Sequence, residues 1–266
     1  MTVEPFVALM RKYCIDYTNS HDQSICDEIM HPDYVVHISG MDLPRDSAYK
    51  PAVRRVFDRF PGLGLVVHEF VTNGDRLAMR FSEHGCSPKA DGNGAAWGGI
   101  GLYRWDRTQL LENYVEQDFL AQKIQLESGN IAPLEPPHVD PWTSTVAEPS
   151  NPEAEEIARA WLLKGDIRAA REVTIDGSWY RELPPSPIDV ERAEINDLFS
   201  AGDRVAFHIS QVGSYTSGWP GVDDALVGRP TTMNCVGFAT VEGGAVTRVR
   251  AITDQLGARA ALRGER

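Results

Sequence analysis

No run of apolar residues in this sequence approaches the roughly 18 that a membrane-spanning helix needs, so no transmembrane segment is expected. Basic residues are outnumbered: 26 Lys and Arg face 38 Asp and Glu, for a net charge of −12 and a pI near 5.0. That deficit argues against nucleic acid and against anionic membrane surfaces, both of which select basic patches. Only four cysteines occur, Cys14, Cys26, Cys86 and Cys235, with no C-x-x-C spacing. Zinc-ribbon and thioredoxin readings therefore fall away, and reduced, mostly buried thiols are expected. The opening MTVEPFVALMRKYC has no basic segment followed by an uninterrupted apolar stretch, so no signal peptide is read and a cytoplasmic location is expected. The seven histidines are scattered without H-E-x-x-H, and no G-x-S-x-G nucleophile elbow is present. The glycine-rich stretch from Asp91 to Gly94 precedes a strand, whereas a phosphate loop precedes a helix. Neither a metal nor a cofactor is expected.

What is present is a core-forming composition, 42% hydrophobic and 24% charged, arranged twice over. Phe6, Met10, Tyr13, Cys14 and Tyr17 recur at helical spacing. Ser20 or Asp22 is placed to cap a second short helix with the stripe Ile25, Ile29, Met30, which His31-Pro32 ends. Tyr34 to Ile38 reads as a strand, and Ala48 to Phe60 as a third helix stopped by Pro61-Gly62. The period then changes to strands, with a hairpin at Asn73-Gly74-Asp75. The second half replays this order: EAEEIARAWLLKGDIRAAREV predicts two short helices, and IDGSWYREL stands for the strand after them. The core Gly-Asp-Arg-Leu/Val-Ala recurs at 74–78 and 202–206, and matched segments lie 144, 128 and 136 residues apart along the chain. Helices and strands align while loops differ in length, as in a duplicated domain, and the second copy lacks most of the third helix. Between the copies, prolines at 133, 136, 137, 141, 149 and 152 predict a stiff strap whose Val139 and Trp142 pack onto a domain. The expected units are 1–128, a linker over 129–151, and 152–266. Helices followed by strands make each an α+β domain.

N-S-H-D followed by I-M-H-P-D-Y-V-V-H in the first copy resembles the opening of SnoaL-like polyketide cyclases, members of the nuclear-transport-factor-2-like superfamily. VEQDFLAQKIQL resembles that group's last strand and tail. The resemblance is strong in the first half and weaker in the second. It implies a tandem of two cone-shaped curved antiparallel sheets, each wrapped on N-terminal helices around a mostly apolar pocket. It also implies sheet-against-sheet packing, either in a homodimer or internally within the tandem chain. The nearest functional analogues it suggests are the tandem epoxide hydrolase/cyclases of polyether biosynthesis, though fold alone does not decide function.

A titratable group on an inward sheet face is costly unless partnered, which makes it informative. The resemblance favours Asp118 as the acid/base residue, with Asp254 in the same place in the second copy. The plainer reading is that each caps the end of its sheet or pairs with a surface Arg. His37 closes the strand YVVHI where the resemblance expects a pocket-lining group, and its counterpart is Arg181. Glu69 lies between hydrophobic neighbours, and strict alternation lets only one of His68 and Glu69 enter the pocket; Glu69 is favoured. Trp97, Tyr114, Trp179, Tyr180, His208, Met233 and Arg250 are candidate walls or second-pocket groups, although aromatics on strands are more often plain core.

Two functions lead the readings of this pattern, ahead of a protein-interaction adaptor like the transport factor that names the superfamily. The first is a cofactor-independent acid/base enzyme, a cyclase, isomerase or epoxide hydrolase, acting on a hydrophobic polyketide-, terpenoid- or steroid-like molecule. The second is a binding or scaffold protein in which one copy supports the other. Divergence between the copies, Tyr114 against Arg250 and Glu116 against Ile252, is what motivates the second.

Overall fold

A computed structural model describes residues 3–265. Helix α1 (Pro5–Arg11) begins at a proline, which suits the first helical turn, with the Glu4 carboxylate accepting from the Val7 N–H. It continues through a wider π-helical stretch to Asn19. Asp22 caps the following turn through the Ser24 N–H, and α2 (Cys26–Ile29) ends where strand β1 (Met30–Ile38) begins. Pro32 therefore sits inside a strand, and the helix stops two residues before the sequence predicts. After β2 (Met41–Pro44) and α3 (Lys50–Arg59) come β3 (Gly64–Thr72), β4 (Arg76–Cys86), β5 (Gly94–Trp105) and β6 (Leu110–Gln117). The predicted Asn-Gly turn joins β3 to β4, with Gly74 at φ +89°, where a side chain would be strained. The six strands pair in the order β2-β1-β6-β5-β4-β3. All pairs are antiparallel except β1 with β6.

Helix α4 (Phe119–Ser128) closes the first copy. The strap then runs along β3: the N–H groups of His138 and Glu148 donate to the carbonyls of Val67 and Thr72. Trp142, in α5 (Pro141–Ser144), packs against Phe70 at 5.7 Å. Val139 is fully exposed, contrary to expectation, because the strap turns outward before α5.

The second copy opens with α6 (Pro152–Leu162). Residues 166–171 form turns rather than a second helix. The strand that follows is β7 (Glu172–Ile175), so IDGSWYREL is a tight helical turn after the strand and not the strand itself. Strands β8 (Ile188–Ala201), β9 (Arg204–Tyr215), β10 (Pro230–Glu242) and β11 (Ala245–Thr253) complete a second sheet, ordered β7-β11-β10-β9-β8, and α7 (Gln255–Leu262) closes it. Among the described residues its only parallel pair is β7 with β11, the counterpart of β1 with β6. No helix lies between β7 and β8 beyond that turn, so the third helix of the first copy has no equivalent. Each copy is thus a curved, mainly antiparallel sheet on helices, an α+β fold. Among the described residues no helix is long and apolar enough to cross a membrane.

The two sheets pack through their outer faces. Val71, Ala78, Ile100 and Leu102 of the first meet Phe199, Ala206, Val236, Phe238 and Ile252 of the second. Two ion pairs cross this seam: Glu69 with Arg204 at 2.6 Å, and Asp197 with Arg76. Adding 128 to Glu69 and Arg76 gives Asp197 and Arg204, so one pair is the other rotated. That reciprocity identifies an isologous interface of the kind two-fold dimers use, here made inside one chain. The sheet faces that a homodimer would use are therefore already covered.

Candidate functional site

Side chains alternate along β4, and Leu77, Met79 and Phe81 all enter the core beneath the helices. The next residue on that face is Glu83. Its carboxyl lies near Trp97, Tyr13 and Cys14. Burial raises its pKa from 4.5 to about 7, against a smaller lowering from the Trp97 N–H. Glu83, Tyr13 and Gln117 keep partial accessibility deep inside the cone, where Trp97 donates to Gln117 at 2.7 Å. The surrounding wall is unusually rich in tyrosine: Tyr13 and Tyr49 share a hydroxyl contact of 3.2 Å, and the rings of Tyr13 and Tyr103 meet edge-on. The buried hydroxyls of Tyr17 and Tyr34 face Tyr49 and Asn113 respectively, without a hydrogen bond of ordinary geometry. Such groups cost free energy unless something else satisfies them, which is what a ligand site offers.

The second cone differs at each of these positions. Glu83 is matched at an offset of 128 by Gln211, whose amide donates to the Gly165 carbonyl at 2.9 Å. Tyr103 and Asn113 are matched at 136 by Ala239 and Val249, and Tyr13 at 144 by Ile157. A cavity of about 350 Å³ remains there, lined by Arg168, Gln211, Met233, Thr253 and Gln255 among others. Of the two, only the first cone carries a carboxyl at the Glu83 position.

The residues singled out from the sequence fall elsewhere, with the exception of Trp97 and Met233. Asp118 follows directly after β6, at the start of α4. Its carboxylate caps α4 through the Ala121 N–H at 2.9 Å. Burial, and then the nearby Asp176, push its pKa up. It borders a narrow cleft between the copies that also takes in Trp179, Tyr180 and Arg250, with Arg181 close by. Asp254 caps α7 in the same way, through Gly257. Both thus cap the helix that follows their sheet, and Asp118 also accepts from the Gly177 N–H.

Neither His68 nor Glu69 enters the cone, because a β-bulge at His68 breaks the alternation that the sequence argument assumed. His68 bonds Ser82 on the outer face, and Glu69 is clasped by Arg80 and Arg204. Burial alone would raise the Glu69 pKa, but the two arginines outweigh it and hold it low. The bulge recurs at Asn196, 128 residues on. His37 is also on the outer side, bridging Asp42 at 2.7 Å and Glu112 at 3.3 Å and stacked on Tyr114. Tyr114 in turn lies beside His208 across the seam. Glu83 was legible in principle: it is an acid in register with Leu77, Met79 and Phe81, replaced by an amide in the other copy. Among the described residues no group of three or more His, Cys, Asp or Glu is arranged to hold a metal ion.

Residues 11–112 match the family model of a SnoaL-like domain. No curated protein matches the chain. Similar solved structures include TsrD from Streptomyces laurentii, 21% identical, with a TM-score of 0.42 over 46% of this chain and 94% of that one. IdmH from Streptomyces antibioticus, described as a candidate polyketide cyclase, is 19% identical with a TM-score of 0.41 over 46% and 98%. A candidate SnoaL-like polyketide cyclase from Jannaschia sp. CCS1 is 17% identical with a TM-score of 0.41 over 47% and 92%.

Proposed function

We propose that the SnoaL-like domain matched over residues 11–112 is the working half of an acid/base enzyme for a hydrophobic small molecule, with Glu83 as the group that moves the proton. The observation that carries this reading is a carboxyl inside a largely apolar and phenolic cone, its pKa raised to about 7. A carboxyl tuned to that range is divided between acid and base near neutrality, which is where general catalysis works best. The tyrosine wall supplies flat apolar surface, and the buried hydroxyls of Tyr17 and Tyr34 supply polar contacts to hold an oxygenated substrate. Asp118 has a raised pKa too, but it faces the cleft between the copies and caps a helix, so we assign the proton transfer to Glu83 instead.

The test needs no natural substrate. Ring opening of 5-nitrobenzisoxazole requires one proton abstraction by a base in an apolar site. The wild-type rate is expected to rise with pH through about 7. Glu83→Gln should lose roughly 100-fold or more, the usual worth of a positioned base, while Asp118→Asn keeps most of the rate. A Glu83→Gln protein as fast as wild type sinks the assignment.

The binding-protein reading rests on the second copy, whose Gln211 is already satisfied by the Gly165 carbonyl. It is favoured if apolar phenols such as 1-naphthol bind the first cone tightly while no turnover depends on Glu83.

A further inference from the structure

The two cones are filled differently. In the first, the chain leaving α3 lays Phe60 on Trp97, with ring centroids 5.4 Å apart and both side chains buried. The second copy has no such helix, and Met233 stands in the place of Trp97, 136 residues on. With that helix and its aromatic contact gone, a cavity of about 350 Å³ is left beside Met233. Ile167 and Ile175, both buried, give it an apolar wall.

Two exchanges between the copies set the charge of this cavity. Gln211 takes the place of Glu83, so an anion that Glu83 would repel in the first cone meets a neutral amide in the second. Arg168 takes the place of Ser24, 144 residues on. Each follows an aspartate that accepts its N–H: Asp22 from Ser24 and Asp166 from Arg168, both at 2.9 Å. The same turn therefore brings a guanidinium to the wall of the second cone. Arg168 is half-buried and donates through Nη1 to the Pro184 carbonyl at 2.6 Å. Among the described residues it forms no ion pair, and its Nε and Nη2 have no protein acceptor. Burial lowers its pKa, and the charges of Asp176 and Asp166 oppose that without pairing with it; a guanidinium stays charged throughout. Lys164, Asp166 and Asp189 also border the cavity but are exposed to water, so Arg168 is the charge sheltered in its wall.

We infer that the second cone is a receptor for a small amphipathic carboxylate, its charged end on Arg168 and its apolar body against Ile167, Ile175 and Met233. The planar guanidinium presents N–H donors that match carboxylate geometry, and Nε and Nη2 are the pair left over. The apolar wall accounts for the rest of the ligand, and about 350 Å³ lies at the small end of the usual range for ligand cavities. Gln211 cannot ionise, so the site holds its ligand without moving a proton. The exchange that removed the acid from this cone also made room for an anion.

Calorimetric titration with 2-naphthoate at pH 8 reads this out, with 2-naphthamide and 2-naphthylmethylamine as neutral and cationic controls of similar shape. Naphthoate is expected to bind at least about tenfold more tightly than either control, as a hydrogen-bonded charge pair should. Arg168→Met removes the guanidinium and should weaken naphthoate by at least about tenfold. Met233→Trp, which restores the first copy's residue, should fill the cavity and abolish binding. Should either variant fail to fold, the other carries the test alone. Glu83→Gln should leave naphthoate binding unchanged, whereas a naphthoate lodged in the first cone would gain affinity once that acid is gone. Equal binding of the three compounds, no binding of naphthoate, survival of its binding in Arg168→Met or Met233→Trp, or tighter binding in Glu83→Gln would each overturn the proposal. Because Glu83→Gln abolishes the assigned proton transfer without touching the second cone, this reading and the catalytic one fail separately.

Discussion

Glu83 illustrates how one side chain couples stability to function. Its pKa is raised in the fold, from 4.5 to about 7, so the folded state holds a proton that the unfolded chain has released across that window. Stability must then fall as pH rises from about 4.5 to about 7, because the native state binds more protons than the unfolded one. At 1.36 kcal/mol per unit the loss is at most about 3 kcal/mol. Glu83→Gln, which cannot ionise, is expected to be more stable than wild type at pH 8 and similar at pH 5, as measured by denaturant unfolding at the two pH values. A carboxyl kept at a stability cost is what a functional group looks like. Gly99 is a second residue under constraint: a Cβ there would lie 2.4 Å from the Phe81 ring. Gly99→Ala is expected to cost roughly 1–3 kcal/mol through overpacking, seen as a lowered midpoint in chemical denaturation.

At the level of elements, the helices that follow each sheet depend on their caps. Asp254 accepts from the Gly257 N–H at the start of α7, and Asp118 from Ala121 at the start of α4. Asp254→Ala is expected to cost about 1 kcal/mol, while Asp254→Asn, which keeps an accepting oxygen, costs only a few tenths. Thermal unfolding of the two variants checks the difference. Strand bulges matter as much as caps. A strand read from sequence alternates strictly, but the extra residues at His68 and Asn196 turn Glu69 and Asp197 outward to the seam. Nothing in the local pattern HEFV or INDL announces that shift, since a bulge is decided by which partner strand the chain meets. Segment 166–171 is likewise read as helix from its composition, and it yields to turns where Arg168 reaches the Pro184 carbonyl.

The whole molecule is a two-fold pair in one chain. Val71, Ala78, Ile100 and Leu102 cover an outer sheet face that the second copy buries. Residues 1–128 made alone would present that face to water, and exposed apolar patches of this kind associate. Sedimentation is expected to find that fragment as a dimer or larger, and the full chain as one copy per particle through this surface. A monomeric, folded fragment would contradict the interface. Arg76→Glu, by setting two acids against each other at Asp197, should destabilise the full chain, and Arg76→Glu with Asp197→Arg should recover part of the loss. Both effects are read by denaturation in low salt.

The sequence by itself determined the duplication, the α+β class, the Asn73-Gly74 turn and the strap, because periodicity, turn chemistry and proline are local signals that survive without neighbours. It also held the plainer reading that Asp118 and Asp254 sit at the ends of their sheets, while the helices they cap were visible only in the fold. Only the tertiary structure decided which faces look inward. Glu83, Tyr17, Tyr34 and Asn113 converge from different helices and strands, and no spacing along the chain encodes that meeting. The same holds for the seam, where His37, Tyr114, Glu116 and His208 come together because two curved sheets pack back to back. Burial sets the charge state of such groups, and burial is a property of the packed molecule.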